Sequence, residues 1–350
     1  MDQGMPAVAV LGLGNFGRWW TQVVAGHPGV RLAAMIDPDP TARWLAGEHA
    51  QAPTYACLED ALAEGHLDAA VIASPPSCHE DDLGRVLGAG MAAIKEKPLA
   101  ADWGAALRIA RLARPGGPPV LMAQDYRFMP AVRTLREALR AGWAGEPGAV
   151  RHTFTRDHPL SGWRAQMPDP LLRDMAVHHM DLLRYALGTE FDQVFAHSFR
   201  PAGTPYRGDS AAHVLLRATT GLKVCYTANW TARGRQTDWC GDLEIDCAYG
   251  SLALRDGGVC YYPREERCVP GEGHPVPQAH VSHQRQAGLL QAMLEGLTGG
   301  RLPQPDIRDN LRSYAIVEAA ALSAAQGRPV DPGELLEAAG HEAPPAALAA

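Results

Sequence analysis

Short apolar runs alternate with amphipathic stretches through the first third of the chain. The runs at 7–12, 30–36, 69–73 and 92–94 have few polar interruptions, as strands buried on both faces do. Between them, Arg18 to Val24, Thr41 to His49, Leu58 to Glu64 and Glu80 to Ala89 carry helical spacing, and Thr54-Tyr55 reads as a short edge strand. Strand and helix in turn predict a doubly wound parallel α/β sheet. Beyond residue 150 the pattern changes to strand-length runs: Val150 to Thr155, Val194 to Arg200, Ala211 to Thr219, Leu222 to Asn229, Asp242 to Cys247, Ser251 to Arg255 and Val259 to Tyr262. Turn signals such as Thr220-Gly221, Tyr249-Gly250 and Asp256-Gly-Gly258 separate them, and a meander is the simplest topology they predict.

The first strand runs into Gly12-Leu-Gly14-Asn15-Phe16-Gly17, with a helix to follow. Gly12 permits the tight turn, Gly14 lets the backbone approach a pyrophosphate, and Gly17 lets the helix lie close to the strand. The second run ends at Asp37, where a carboxylate would accept hydrogen bonds from an adenosine ribose. These features predict a dinucleotide site, with NAD favoured over NADP because Asp37-Pro-Asp39 would repel a 2′-phosphate; Arg43 is the residue that could reverse that preference. The third run ends in Ser74-Pro75-Pro-Ser-Cys-His79, a loop at the carboxyl end of a parallel strand, where open α/β sheets bind ligands. The fourth leads to Lys95-Glu96-Lys97-Pro98; Pro98 cannot donate a ladder hydrogen bond, so the strand stops and Lys97 is presented at the same sheet edge.

Asp174, His178 and Asp181 stand at i, i+4 and i+7 of a predicted helix and so share one face. A carboxylate one turn from an imidazole can fix its tautomer and hold a base ready for a hydroxyl proton. The same residues, with Tyr185, also fit the solvated stripe of an amphipathic helix, and the segment alone leaves both readings open. His179 falls on the apolar side, as a hydrogen-bonded core histidine would.

Length and composition narrow the choice. A chain of 350 residues, 46% apolar, is expected to form two domains with substantial cores. The net charge of −7, with scattered Lys and Arg, gives no footprint for nucleic acid or an anionic membrane. Seven cysteines without a CxxC pair argue against a disulfide framework or a zinc knuckle, and no metal ligand set stands out. With no basic leader and no run long enough to span a bilayer, a cytoplasmic enzyme of small-molecule chemistry is expected.

Gly12-x-Gly14-x-x-Gly17, Ser74-Pro-Pro-x-x-His79, Glu96-Lys97-Pro98 and Asp174-x-x-x-His178-x-x-Asp181 together resemble the glucose-fructose oxidoreductase and inositol dehydrogenase family, Gfo/Idh/MocA. Gln124-Asp-Tyr-Arg-Phe-Met-Pro130, Gly145-Glu-Pro-Gly148 and Ser323-Ala-Ala-Gln-Gly-Arg-Pro-Val330 extend the likeness along nearly the whole chain. A glycine triplet frequent before the helical Asp is replaced by Pro170-Leu-Leu-Arg173, at a loop that borders the substrate in the family. The resemblance implies an N-terminal Rossmann domain over residues 1–125, an α+β domain over 126–335 with a large, mostly antiparallel open sheet covered by helices on one side, and a tail over 336–350. It implies a homo-oligomer, a dimer or tetramer, through that sheet.

It also implies reversible oxidation of a secondary alcohol to a ketone on a sugar, cyclitol or related polyol, with hydride passing to nicotinamide C4. Lys97, Asp174 and His178 are the expected catalytic groups. Gly12, Gly14, Asn15, Phe16, Gly17, Asp37, Ser74, Pro75, His79, Glu96 and Lys97 are expected around NAD, Glu96 at the nicotinamide ribose, and the Lys97-Pro98 peptide is expected to be cis. Arg127, Asp157, Trp163 and Trp239 are candidate substrate contacts, although a tryptophan is more often core. Two rival functions share these features: a redox-neutral enzyme that retains its NAD for elimination, hydrolysis or epimerisation, and a non-catalytic dinucleotide-binding regulator.

Overall fold

The structure, a computed structural model, describes residues 4–158, 161–265, 273–299 and 303–341. It divides into two compact units, one of residues 1–128 with 282–311 and one of 129–281 with 312–350. The division is therefore not contiguous, where two successive stretches of sequence are expected.

In the first unit, β1 (Ala7–Leu11), β2 (Arg31–Ile36), β3 (Thr54–Tyr55), β4 (Ala69–Ile72), β5 (Ala92–Lys95) and β6 (Val120–Met122) form a six-stranded sheet in the order β3-β2-β1-β4-β5-β6, parallel throughout. Every residue of β1, β4 and β5 is buried, which is why these strands read as continuous apolar runs. Between strands come α1 (Asn15–Gly26), α2 (Pro40–Gly47), α3 (Leu58–Glu64) and α4 (His79–Gly88), and α5 (Trp103–Leu112) leads to β6. Two starts are set by side chains: Asp39 accepts from Thr41 N at 2.8 Å with Pro40 in the first turn, and Asp102 accepts from Ala105 N at 2.8 Å. The strand order reverses between β1 and β4, the place where such sheets open a crevice for ligands.

The second unit holds α6 (Pro130–Arg140), α7 (Val177–Leu187) and eight strands: β7 (Pro147–Thr155), β8 (Phe191–Phe199), β9 (Ala211–Ala218), β10 (Lys223–Asn229), β11 (Asp242–Cys247), β12 (Gly250–Arg255), β13 (Gly258–Pro263) and β14 (His274–Pro275). Their order, β14-β13-β12-β11-β7-β10-β9-β8, corrects the simple meander. Two meanders, β8 to β10 and β11 to β14, flank β7, which pairs parallel with β10 and antiparallel with β11. Along β10, Val224, Tyr226 and Ala228 are buried while Lys223 and Cys225 are exposed, so one face of this part of the sheet is covered and the other is open.

α8 (Arg285–Gly299) belongs to the first unit, where Leu289, Leu290 and Met293 join the apolar cluster of Val8, Val10, Ile94 and Leu121. This packing draws residues 282–311 back to the Rossmann sheet. α9 (Ile307–Gln326) and α10 (Pro332–Ala338) complete the described chain. No helix among the described residues is long and apolar enough to cross a membrane.

Candidate active site

The glycine turn after β1 is built as its sequence demands. Gly12 has φ +84°, and a Cβ there would lie 2.5 Å from Ser74 N. A Cβ on Gly17 would collide with the Gly12 carbonyl oxygen, whereas one on Gly14 would meet nothing within 4 Å. Gly12 and Gly17 thus serve packing, and Gly14 leaves open space at the start of α1. That helix has no side-chain cap and no acidic residue in its first turn, so its backbone donors suit a pyrophosphate. Asn15 Oδ1 accepts from Arg18 Nη2 at 2.7 Å, and Phe16 is exposed.

Asp37 stands just beyond β2. Its Oδ2 accepts from Leu13 N at 2.7 Å and its Oδ1 from Asp39 N at 2.9 Å, which fixes the carboxylate beside the glycine turn. Arg43 does not neutralise it by side-chain contact. Its Nη1 donates instead to the backbone oxygens of Asp37 and Pro38, at 2.6 and 3.1 Å. The residues present fit a dinucleotide.

The Ser74 loop and the turn after β5 are joined by a buried network. Ser74 Oγ donates to Asp82 Oδ2 at 2.5 Å, and Cys78 N donates to Pro75 O at 2.8 Å. His79 is 1% exposed, with Nε2 2.9 Å from Ser74 O and Nδ1 2.7 Å from Lys95 Nζ. Its ring is therefore turned into the domain, where it gives the buried Lys95 a polar partner. Burial and the neighbouring Lys95 lower the His79 pKa to about 3. Glu96 is also enclosed: Oε1 accepts from Trp20 Nε1 at 2.8 Å and Oε2 from Lys97 N at 3.0 Å. Burial raises its pKa, opposed by these two donors and by the charge of Lys97. The Lys97-Pro98 peptide is cis, as expected, and Lys97 is half-buried.

In the second unit a π-helical turn, Leu171–Ala176, leads into α7. Asp174, His178 and Asp181 are 2%, 7% and 1% exposed, which excludes the solvated stripe. The two carboxylates have different partners. Asp174 Oδ2 accepts from Arg164 Nε at 3.2 Å, whereas Asp181 Oδ1 accepts from Ser313 Oγ at 2.9 Å beside the buried Arg184–Glu190 pair. Asp181 is thereby part of a structural network. His179 is the core histidine its position predicts, with Nδ1 2.8 Å from Tyr226 Oη and Nε2 2.9 Å from Trp239 O; burial lowers its pKa to about 4.

The four candidate substrate contacts are placed unequally. Arg127 is 5% exposed and pairs with Asp309 at 2.6 Å, a buried ion pair of the first unit rather than an open binding group. Asp157 is exposed and forms an isolated bridge with Thr231. Trp239 is half-buried, with the Arg156 guanidinium 4.6 Å over its ring and His158 edge-on at 5.1 Å. The Trp163 side chain lies outside the described residues.

Sequence reasoning missed Lys95, Arg164 and His158. Lys95 is a charged residue in an otherwise apolar β5, and that anomaly was its signal. Arg164 had none, because its partner is set by the path of the loop. His158 lies close enough for the charge of Asp174 to favour its protonation, although burial lowers its pKa overall.

Residues 7–123 match the family model described as "Oxidoreductase family, NAD-binding Rossmann fold", and residues 132–253 match the GFO/IDH/MocA C-terminal domain. An inositol 2-dehydrogenase of Saccharopolyspora erythraea is 31% identical over 331 residues, covering 93% of this chain and 95% of the relative. A D-apiose dehydrogenase of Paraburkholderia graminis is 26% identical over 334 residues, covering 92% and 88%. Among solved structures, an oxidoreductase from Agrobacterium radiobacter crystallised with NAD+, L-tartaric acid and magnesium shares the fold at a TM-score of 0.83 and 22% identity, over 95% of this chain and 99% of that one. By these matches and by the two sheets that they span, the chain is an NAD-binding oxidoreductase of the Gfo/Idh/MocA family.

Proposed function

We propose that the protein oxidises a secondary alcohol of a sugar, cyclitol or related polyol to the ketone, and reverses the reaction. The observation that carries this reading is the burial of Asp174 and His178 where the π-helical turn meets α7, with Asp174 held by Arg164. A buried imidazole one turn from a fixed carboxylate has the chemistry of a positioned base. Relatives named for inositol and D-apiose oxidation supply the substrate class.

In this mechanism His178 accepts the hydroxyl proton, and Asp174 orients the imidazole or the hydroxyl. Lys97 donates to the same oxygen and stabilises its growing negative charge. Bound NAD+ supplies the hydride acceptor at nicotinamide C4. Gly12, Gly14 and Gly17 shape the pyrophosphate turn, Asn15, Phe16, Ser74 and Pro75 border it, and Asp37 selects NAD by repelling a 2′-phosphate. Glu96 and His79 act one layer deeper, through the hydrogen bonds that fix the loops around them. Trp239, stacked with Arg156, offers a ring to a sugar face. Self-association uses the open face of the second sheet, which carries exposed Leu215.

The test is a panel of sugars, cyclitols and sugar acids, each incubated with NAD+ and with NADP+, followed by NADH absorbance and product analysis. Ketone formed in step with NADH supports the reading. Substrate consumed without net NADH would replace it with a redox-neutral reaction, and no conversion of any member would favour a binding protein.

A further inference from the structure

We propose that Lys95, acting with His79, is a positioning residue for Lys97: the two form a buried pair that clamps the Glu96–Lys97–Pro98 turn to the Ser74 loop. The inference rests on the reading of Lys97 as the group that serves the substrate oxygen.

Lys95 closes β5 and is fully buried, hydrogen-bonded on its strand's flanks by β4 and β6. A lysine so placed requires compensation, and three acceptors surround its nitrogen: His79 Nδ1 at 2.7 Å, Glu96 O at 3.1 Å and Pro98 O at 3.0 Å. The two carbonyls bracket Lys97 in the chain. Nζ therefore ties down the backbone on both sides of the residue whose amine must be aimed. His79, the first residue of α4, continues the contact to Ser74 O at 2.9 Å, and the Ser74 backbone packs so closely on Gly12 that no Cβ would fit between them. One path of contacts thus runs from the glycine turn through Ser74, His79 and Lys95 to the turn that carries Lys97.

Donor counting fixes the proton inventory. Ser74 O can only accept, so His79 Nε2 carries hydrogen, and a neutral imidazole then offers a lone pair at Nδ1. Three acceptors match the three hydrogens of an ammonium group. A neutral amine beside a neutral imidazole would leave one of these contacts without a proton, so the pair holds one proton in excess. That proton lies in the 2.7 Å contact between Lys95 Nζ and His79 Nδ1. Burial draws Lys95 well below the usual lysine range, opposed by the nearby Glu96 carboxyl.

The experiment compares the whole protein with Lys95→Met, His79→Leu, His79→Gln and Lys97→Met. Glutamine keeps an acceptor for Lys95 and a donor for Ser74 O, and leucine keeps neither. Amide exchange over residues 95–100, read by mass spectrometry, should accelerate about tenfold to a hundredfold in Lys95→Met and His79→Leu, the scale for unpairing a buried polar group, and His79→Gln should restore most of the protection. Titration with NADH as the probe should show affinity within about threefold of the parent for Lys95→Met, while kcat on a substrate from the panel falls about tenfold or more. The imidazole nitrogen shifts of His79 should report Nε2–H with Nδ1 as acceptor in the parent and lose that acceptor signature in Lys95→Met. Unchanged exchange in Lys95→Met, or equal exchange in the leucine and glutamine variants, overturns the clamp. The latter pair decides the matter if Lys95→Met does not fold. Should Lys97→Met retain full turnover while exchange still responds to residue 95, the catalytic reading of Lys97 fails and the clamp stands as structure alone.

Discussion

Trp20 donates its indole N–H to Glu96 Oε1 at 2.8 Å across 76 residues of sequence, which ties α1 of the glycine turn to the turn after β5. Both side chains are buried, so the bond is shielded from water and its loss leaves a carboxylate short of a donor. Trp20→Phe should therefore lower the unfolding free energy by about 1 to 3 kcal/mol in a urea titration. A loss under about 0.5 kcal/mol would mean that the pair adds no net stability.

Acid sensitivity follows from the buried histidines. His179 is held neutral, with its pKa lowered from 6.5 to about 4 by burial. The unfolded chain accepts a proton below 6.5 that the folded state refuses until about 4, so this contribution is complete above the first value and is lost as pH falls toward the second. The loss from this group alone approaches roughly 3 kcal/mol. Urea titrations at neutral and acid pH should show this decline, and a His179→Gln variant should show a shallower one. An equal slope in the variant would mean that His179 does not contribute.

The glycines of the dinucleotide turn separate packing from binding. Gly17→Ala forces a Cβ against Gly12 O and should destabilise the first unit, visible as a lower melting temperature. Gly14→Ala meets nothing and should melt near the parent, yet lose at least about tenfold in NADH affinity because the methyl group occupies the approach of the pyrophosphate. Parental affinity in Gly14→Ala would remove the cofactor from this turn.

How much of this was legible depended on how local each determinant is. The strand at Asp242–Cys247 and the helix at Leu58–Glu64 fall at their predicted bounds, since apolar runs and turn residues are written in neighbouring positions. The place of β7 between β10 and β11 was not legible, because the pairing of an early strand with two later ones is set by long-range assembly of the sheet rather than by its own sequence. The shared face of Asp174, His178 and Asp181 was only partly informative. A π-helical turn alters the spacing, and the partner of Asp181, Ser313, lies 132 residues away. Lys95 was overlooked because a strand buried on both faces has no polar side on which to expect it. The contact of the Asp37 carboxylate with the Leu13 amide was not legible either, since it joins the end of one strand to the turn after another.

Cofactor choice tests the same carboxylate. Asp37→Asn keeps an acceptor for Leu13 N and removes the charge, so the turn should survive while discrimination against NADP weakens. The ratio of NADPH to NADH dissociation constants should fall by about tenfold, the scale of one like-charge contact of 1.4 kcal/mol. Tighter NADPH than NADH binding by the unmodified protein would refute the assignment outright.

His178 and Lys97 belong to different units, so the shared role proposed for them is tested by parallel effects rather than by one contact. His178→Ala should lower turnover by about two to four orders of magnitude, the scale for a positioned acid-base group. Its NADH affinity should stay within about threefold, because the glycine turn and Asp37 belong to the first unit. Lys97→Met should reduce turnover comparably by removing the donor to the reacting oxygen. In the parent enzyme, alcohol oxidation should rise with pH as the imidazole loses its proton, and ketone reduction should fall over the same interval, since the second direction requires the protonated form. That opposed pair of limbs should vanish in His178→Ala if His178 is the base. Should the limbs persist there and disappear instead in Lys97→Met, the proton passes through Lys97 and His178 serves to orient the substrate; near-parental turnover in both variants would rule out the dehydrogenase mechanism proposed for this site.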